Sequence, residues 1–159
     1  MSIPPFVQAL RQRIGHDLLW LPGATAVVLR EDGPRTQVLL VRRADDGAWT
    51  PVTGIVDPGE EPAAAAVREV LEEADVVAVA ERLAGVSVVP LVVYENGDRS
   101  QYLDLTFRCR WLSGTPRPAD GENTDAAWFD LDDLPPMSEQ MLTRMAPALA
   151  ERGEAVFRA

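Results

Sequence analysis

The stretch GIVDPGEEPAAAAVREVLEEADV, Gly54 to Val76, decides how this chain is read. Its opening is rich in turn formers. The remainder reads as a helix from residue 62 to about 74, with Pro62 tolerated in the first turn, where an N–H has no helical partner. Turning roughly 100° per residue puts Val67, Val70, Leu71 and Ala74 on one apolar stripe. Glu69, Glu72 and Glu73 then fall on the opposite side, three and four residues apart. Like charges at that spacing repel by about 0.2–0.5 kcal/mol per pair. Glu72 and Glu73 also meet the negative end of the helix dipole, at about 0.3–1 kcal/mol each if exposed. One reading is a solvated acidic face, since glutamate is a good helix former. The other is a site for a hard divalent cation, which takes oxygen ligands and offsets the repulsion.

The residues before the helix favour the second reading. Gly54 and Gly59 let backbone approach a metal or a phosphate closely. Glu60 stands eight residues before Arg68 and could pair with it, pinning the loop to the helix.

The whole chain sets the frame for that site. Its 159 residues suffice for one domain spanning 1–159, and 47% hydrophobic with 25% charged residues is the balance of a soluble globular protein. No apolar run approaches the roughly 20 residues of a membrane span, and the N-terminus lacks the pattern of a signal peptide. The single cysteine, Cys109, cannot form an internal disulfide, so a cytoplasmic protein is expected, with no membrane partner. A net charge of −10 argues against binding nucleic acid through a basic surface. All fifteen basic residues are arginine, which removes Schiff-base and P-loop lysine chemistry. An acidic protein can still take a phosphorylated substrate when metal ions bridge the two sets of negative charge.

Along the chain, PPFVQALRQRIG predicts an N-terminal helix over about 5–15, with Phe6, Leu10 and Ile14 in one stripe. That stripe could be buried against its own sheet or between the two chains of a homodimer. ATAVVLRE and TQVLLVRRA predict a hairpin around EDGPR, and residues 45–62 a loop. AGVSVVPLVVYE and RSQYLDLTFRCRWL flank the turn NGD, DAAWFDL is a further strand, and a C-terminal helix covers about 138–152. The fold class is α+β, an α/β/α sandwich on a mixed sheet.

The spacing Gly54, five residues, Glu60, seven residues, then REVLEE resembles the Nudix box, G-x5-E-x7-R-E-U-x-E-E-x-G-U with U apolar. Gly54, Glu60, Arg68, Glu69, Val70, Glu72, Glu73 and Val76 match. Asp75 replaces the second box glycine, at roughly 1 kcal/mol of backbone cost in a left-handed cap. Thr53 and Asp57 also differ from many relatives, which have glycine and glutamate there.

The resemblance implies a Nudix-type pyrophosphohydrolase on an α/β/α sandwich, using Mg2+ or Mn2+ on a small-molecule nucleotide. A metal-bound water would attack the pyrophosphate link of a nucleoside diphosphate derivative, of the ADP-ribose or nucleotide-sugar type, or of a nucleoside triphosphate. It further implies Glu69, Glu72 and Glu73 as metal ligands, a backbone carbonyl from Thr53 or Gly54, and a Glu60–Arg68 salt bridge. Glu72 or Glu73 could serve as general base, as could Glu122 or Asp125 in the loop ADGENTDAAW. For substrate, Arg42 and Arg43 could reach phosphates, although strand alternation turns one of them away. Trp49, Tyr102 and Asp104 could contact a base or ribose, or be ordinary structural residues. The alternative function is a catalytically weak Nudix-fold module that binds a nucleotide or a partner; Asp75 is the change in its favour.

Overall fold

The computed structural model describes residues 3–159. A long strand, β1 (Leu19–Arg30), organises the sheet. Along one edge it pairs in parallel with β7 (Arg99–Ser113), from Leu19 opposite Ser100 to Leu29 opposite Arg110. Its other edge is shared by two antiparallel neighbours. β2 (Gln37–Arg43) pairs at Leu29 and Arg30, and β4 (Val52–Ile55) pairs at Gly23 to Ala26. β2 also carries the short β3 (Trp49–Thr50) and pairs with β8 (Asn123–Asp130). β7 carries β5 (Val77–Val88) and β6 (Val92–Val93). The result is a mixed sheet, eight-stranded among the described residues.

Alternation along β1 divides the core between two faces. Ala24, Ala26 and Val28 meet α2 (Pro62–Ala74) through Ala65, Ala66, Val70 and Ala74. Val27 and Leu29 meet α3 (Glu139–Leu149) through Met145 and Ala148. On that same side Leu19 and Leu21 meet α1 (Pro5–Ile14) through Val7. One helix covers one face and two cover the other, which is the expected α/β/α sandwich. Phe6 and Ile14 pack on their own sheet while Leu10 stays exposed, so the stripe of α1 gives no argument for a homodimer. Among the described residues, no helix is long and apolar enough to cross a membrane.

Three boundaries differ from expectation. Residues 45–62, read as loop, contain β3 and β4; their pairing partners are remote in sequence, and only turn formers show locally. β1 begins at Leu19 rather than Ala24. β5 begins at Val77, directly after α2, where repeated register shifts blur the alternation that would have marked a strand.

α3 is fastened to the sheet through its last carbonyls. Its N-cap Ser138 Oγ accepts the Met141 N–H at 3.2 Å. At the far end Arg82 donates to the carbonyls of Pro147 and Ala150, and Arg108 to those of Ala148 and Leu149. Arg108 is 2% exposed, and its charge is met by Glu31 at 2.9 Å and Glu81 at 3.3 Å. A buried guanidinium needs such a set, because an unpaired charge in the interior costs several kcal/mol, on the order of 3–5.

Candidate active site

The three box carboxylates occupy three depths. Glu72 is exposed, the Glu69 side chain is 16% exposed, and Glu73 is buried at 5%. The expected helix geometry therefore needs correcting. Glu73 lies on the buried face beside Val70 and Ala74, whereas Leu71, assigned to the apolar stripe, is 49% exposed. The helix is rotated about its axis so that alanines and Val70 press on the sheet, leaving the bulkier Leu71 outside.

Arg68 is the hub of the site. Its Nε and Nη2 donate to the two oxygens of Glu60 at 2.8 and 2.9 Å, a bidentate fork that ties the loop to the helix. Its Nη1 donates to Glu69 Oε1 at 2.9 Å and to Glu72 Oε2 at 3.1 Å, and Nη2 also reaches the Ile55 carbonyl. Glu60 in turn accepts the Asp57 N–H at 3.1 Å, closing the turn before the helix. Arg68 holds the Glu60 carboxyl below the usual carboxylate range, and Glu60 raises the pKa of Arg68 still further.

Gly54 lies directly against Glu69. A Cβ at position 54 would overlap the Glu69 carboxyl group, at Cδ, Oε1 and Cγ. The absence of a side chain there is what lets that carboxylate lie flat on β4.

Glu73 is held differently. Its Oε2 accepts from Asn123 Nδ2 at 2.7 Å, a neutral donor. Burial pushes its pKa from 4.5 up to about 8; the Asn123 hydrogen bond opposes the shift, and the charges of Glu69, Glu122 and Asp120 add to it. Burial likewise raises Glu69 to about 7, against the pull of Arg68. Among the described residues no three His, Cys, Asp or Glu side chains converge on one point, because Arg68 draws Glu69 and Glu72 to itself. The donor set still fits a hard divalent cation. It supplies carboxylate oxygens only, two of them strained by burial in the charged state, beside a backbone position that a Cβ would fill.

Gly54, Arg68, Glu69 and Glu72 line a cleft of ≈ 510 Å³ with Thr53, Ile55, Asp57, Asp120 and Glu122, and Pro4 and Pro5 at the start of α1 form part of its wall; Glu73 lies buried beneath that lining rather than in it. Glu122 faces the cleft. Asp125 does not line it; it is exposed on β8 and accepts the Ala126 N–H.

The substrate candidates also lie outside that lining. Arg42 donates to the Gly47 carbonyl, and Arg43 is clamped by both oxygens of Asp45. Trp49 packs edge-on against Phe129 in the core beneath α3. Tyr102 hydrogen-bonds the Tyr94 hydroxyl at 2.7 Å next to α1. Asp104, 3% exposed, accepts from Thr25 and Thr106 at 2.6 and 2.7 Å. Asn123 was not legible as a site residue, since its partner is fifty positions away and an asparagine entering a strand carries no motif.

A family model described as the NUDIX domain matches residues 20–151. A MutT-like protein of Streptomyces ambofaciens is 34% identical over 80% of this chain and 75% of its own length. The NAD-capped RNA hydrolase NudC of Pseudomonas aeruginosa is also 34% identical, over 75% of this chain; the match spans only 39% of that relative. Among solved structures, an ADP-ribose pyrophosphatase from Streptococcus suis superposes with a TM-score of 0.60 at 26% identity, covering 86% of this chain and 99% of that one. A box held together by Arg68, in a sandwich of this topology and with relatives at this level of identity, settles the kinship: the chain belongs to the NUDIX family and is a Nudix-type pyrophosphohydrolase.

Proposed function

We propose that this chain is a divalent-metal-dependent hydrolase of the pyrophosphate link in a nucleoside diphosphate derivative, taken as a free small molecule. One observation carries the reading most directly. Glu73 is a buried carboxylate whose hydrogen-bond donor is a neutral amide, so its charge calls for either a proton or a cation. Glu69, Glu72 and Glu73, with the Gly54 carbonyl, would hold Mg2+ or Mn2+. A cation bound there lowers the pKa of water and offsets charge on the phosphate oxygens.

The chain's own residues divide the remaining work. Glu60 and Arg68 fix the loop that carries Gly54 against the helix. Glu69 and Glu73, poised near neutral pH in the metal-free site, are suited to holding or accepting a proton. Glu122, at the cleft wall, is a stronger candidate for an additional acid or base than Asp125. With a net charge of −10, the protein repels a polyphosphate unless cations accompany it, so metal serves binding as well as chemistry.

The relatives named for ADP-ribose and for NAD-capped RNA support a nucleoside diphosphate joined to a second group. The acidic surface favours the free nucleotide over the RNA. The binding-module reading loses its motive, because Asp75 adopts the left-handed geometry of the glycine it replaces, φ 54 and ψ 36. We also place the activity in the cytoplasm, on the strength of a lone cysteine, Cys109, buried as a thiol.

The test is a hydrolysis screen with and without Mg2+ or Mn2+ across ADP-ribose, NAD, nucleotide sugars, dinucleoside polyphosphates and nucleoside triphosphates, with Glu72→Gln/Glu73→Gln as the blank. Metal-dependent cleavage of a compound joining a nucleoside diphosphate to another group, absent in the blank, is expected. Cleavage confined to nucleoside triphosphates would overturn the substrate class, and cleavage without metal would overturn the mechanism.

A further inference from the structure

Of the three box carboxylates, Glu69 and Glu72 are steered by Arg68, which belongs to the box itself. Glu73, the deepest, is steered from outside it. After β7 the chain turns at Gly114, with φ 96, where a Cβ would strike the Asp75 carbonyl oxygen. It then runs along the C-terminal end of α2. The Arg117 N–H donates to the Ala74 carbonyl and the Ala119 N–H to the Glu73 carbonyl, each at 3.1 Å. Arg117 Nε donates to Asp75 Oδ2 at 2.8 Å. These contacts satisfy carbonyls that a helix end leaves without partners.

The segment next turns at Gly121 and delivers Asn123 into β8, opposite Arg43 of β2. There the Ala44 N–H donates to the Glu122 carbonyl at 2.9 Å. Asn123 is 6% exposed, and its Nδ2 donates to Glu73 Oε2 at 2.7 Å. A single strap therefore grips Glu73 twice, through its main-chain carbonyl and through its carboxylate, and is itself anchored on both helix and sheet.

Resting on the hydrolytic reading above, we infer that Asn123 is a positioning residue: its amide fixes the Glu73 carboxylate in one orientation, directing the other oxygen to the reaction. In its charged form Glu73 accepts only, so the amide then presents its nitrogen, and the contact selects one side-chain rotation of each partner. The amide is neutral, so it does not itself neutralise Glu73, and the deprotonated carboxylate keeps its full charge for a cation. An arginine in the same place would compete for it, as Arg68 does for Glu69 and Glu72. If the contact merely satisfied a buried asparagine, removing both the amide's polarity and its need for a partner would leave the chemistry untouched.

The experiment uses the full chain with Asn123→Leu, close to isosteric and without a donor. Folding is checked by circular dichroism, turnover by steady-state kinetics, and metal binding by Mn2+ titration followed by electron paramagnetic resonance. A loss of about 10–100-fold in kcat is expected, with KM within about twofold of wild type and Mn2+ affinity weakened in the folded protein. Wild-type kcat and wild-type Mn2+ affinity in folded Asn123→Leu would overturn the inference. So would a loss expressed in KM alone. Should Asn123→Leu fail to fold, Asn123→Ala removes the amide without setting an apolar group against the carboxylate and carries the same expectation. Glu73→Gln separates the two levels. If it keeps wild-type turnover, the hydrolytic role of Glu73 fails and the inference with it; if it is inactive while Asn123→Leu is normal, only the positioning role fails.

Discussion

In the proposed mechanism, Glu73 and Gly54 are the two positions at which one atom group would decide the chemistry. The glutamine variant of Glu73 keeps the shape and can still accept from Asn123, so it isolates the charge. We expect Glu73→Gln to lose at least about 10²-fold in kcat, the usual worth of a positioned acid or base. Metal-free protein should melt higher at neutral pH, because a buried carboxylate with its pKa raised to about 8 has become a neutral amide. Each kcal/mol gained moves Tm by about 2–4 °C in a chain of this size. Lower stability in the metal-free variant, read by thermal melting, would contradict the burial argument. Gly54→Ala tests the opposite combination. The new Cβ meets the far end of a mobile side chain, so the fold yields easily while Glu69 is driven off its seat and away from Arg68. Activity should fall at least about tenfold with Tm changed by no more than about 4 °C, and a variant equally active would show that the seat is dispensable.

The helix α2 shows how a departure from a motif is absorbed by the element around it. Asp75 sits at φ 54, the sole non-glycine residue with positive φ among the described residues, and its N–H closes the helix on the Leu71 carbonyl at 3.1 Å. Against about 1 kcal/mol of backbone cost stands the Arg117–Asp75 pair, 65% and 44% exposed and therefore worth about 0–1 kcal/mol. The two nearly cancel, so Asp75→Gly should leave Tm unchanged or raise it by up to about 4 °C in a thermal melt. A clear fall would mean that the pair, rather than the cap, holds the helix end. The helix and its carboxylates were legible because their spacing is local. The depth of Glu73 was not: a helical wheel assigns faces from hydrophobicity and cannot see that alanines pack closer to a sheet than leucine does. β4 was hidden for a related reason, its register being set by Gly23 to Ala26, some thirty residues earlier, rather than by its own pattern. Residue type, with a place at a strand end, on a strand face or beside the box, points to Arg42, Arg43, Trp49, Tyr102 and Asp104, but neither tells which of them find partners away from the cleft.

Across the whole molecule, the site acts on stability through the protons it binds. Stability changes with pH as 2.303RT times the protons bound by the unfolded chain minus those bound by the folded one. Glu69 and Glu73 have folded pKa values of about 7 and about 8 against 4.5 in the unfolded chain. Between 4.5 and about 8 the folded protein therefore holds more protons than the unfolded chain, and the difference is negative. Metal-free protein should lose stability as pH rises through this window and level off above it. Glu60 has the opposite sign, but its pKa is lowered, so its contribution disappears only on the acid side of 4.5 and does not interfere. A divalent cation requires the same carboxylates deprotonated, and its binding releases those protons. The gain in Tm from saturating Mg2+ should accordingly be small near about pH 5.5 and grow toward about pH 8.5, flattening or reversing the metal-free slope. Thermal melts across that range, with chelator or with Mg2+, read both curves at once. The pH dependence should be roughly halved in Glu73→Gln, in which Glu69 alone still exchanges a proton across this range. A Mg2+ gain that is the same at every pH would show that the cation does not bind through Glu69 and Glu73, and would move the metal site elsewhere on the chain.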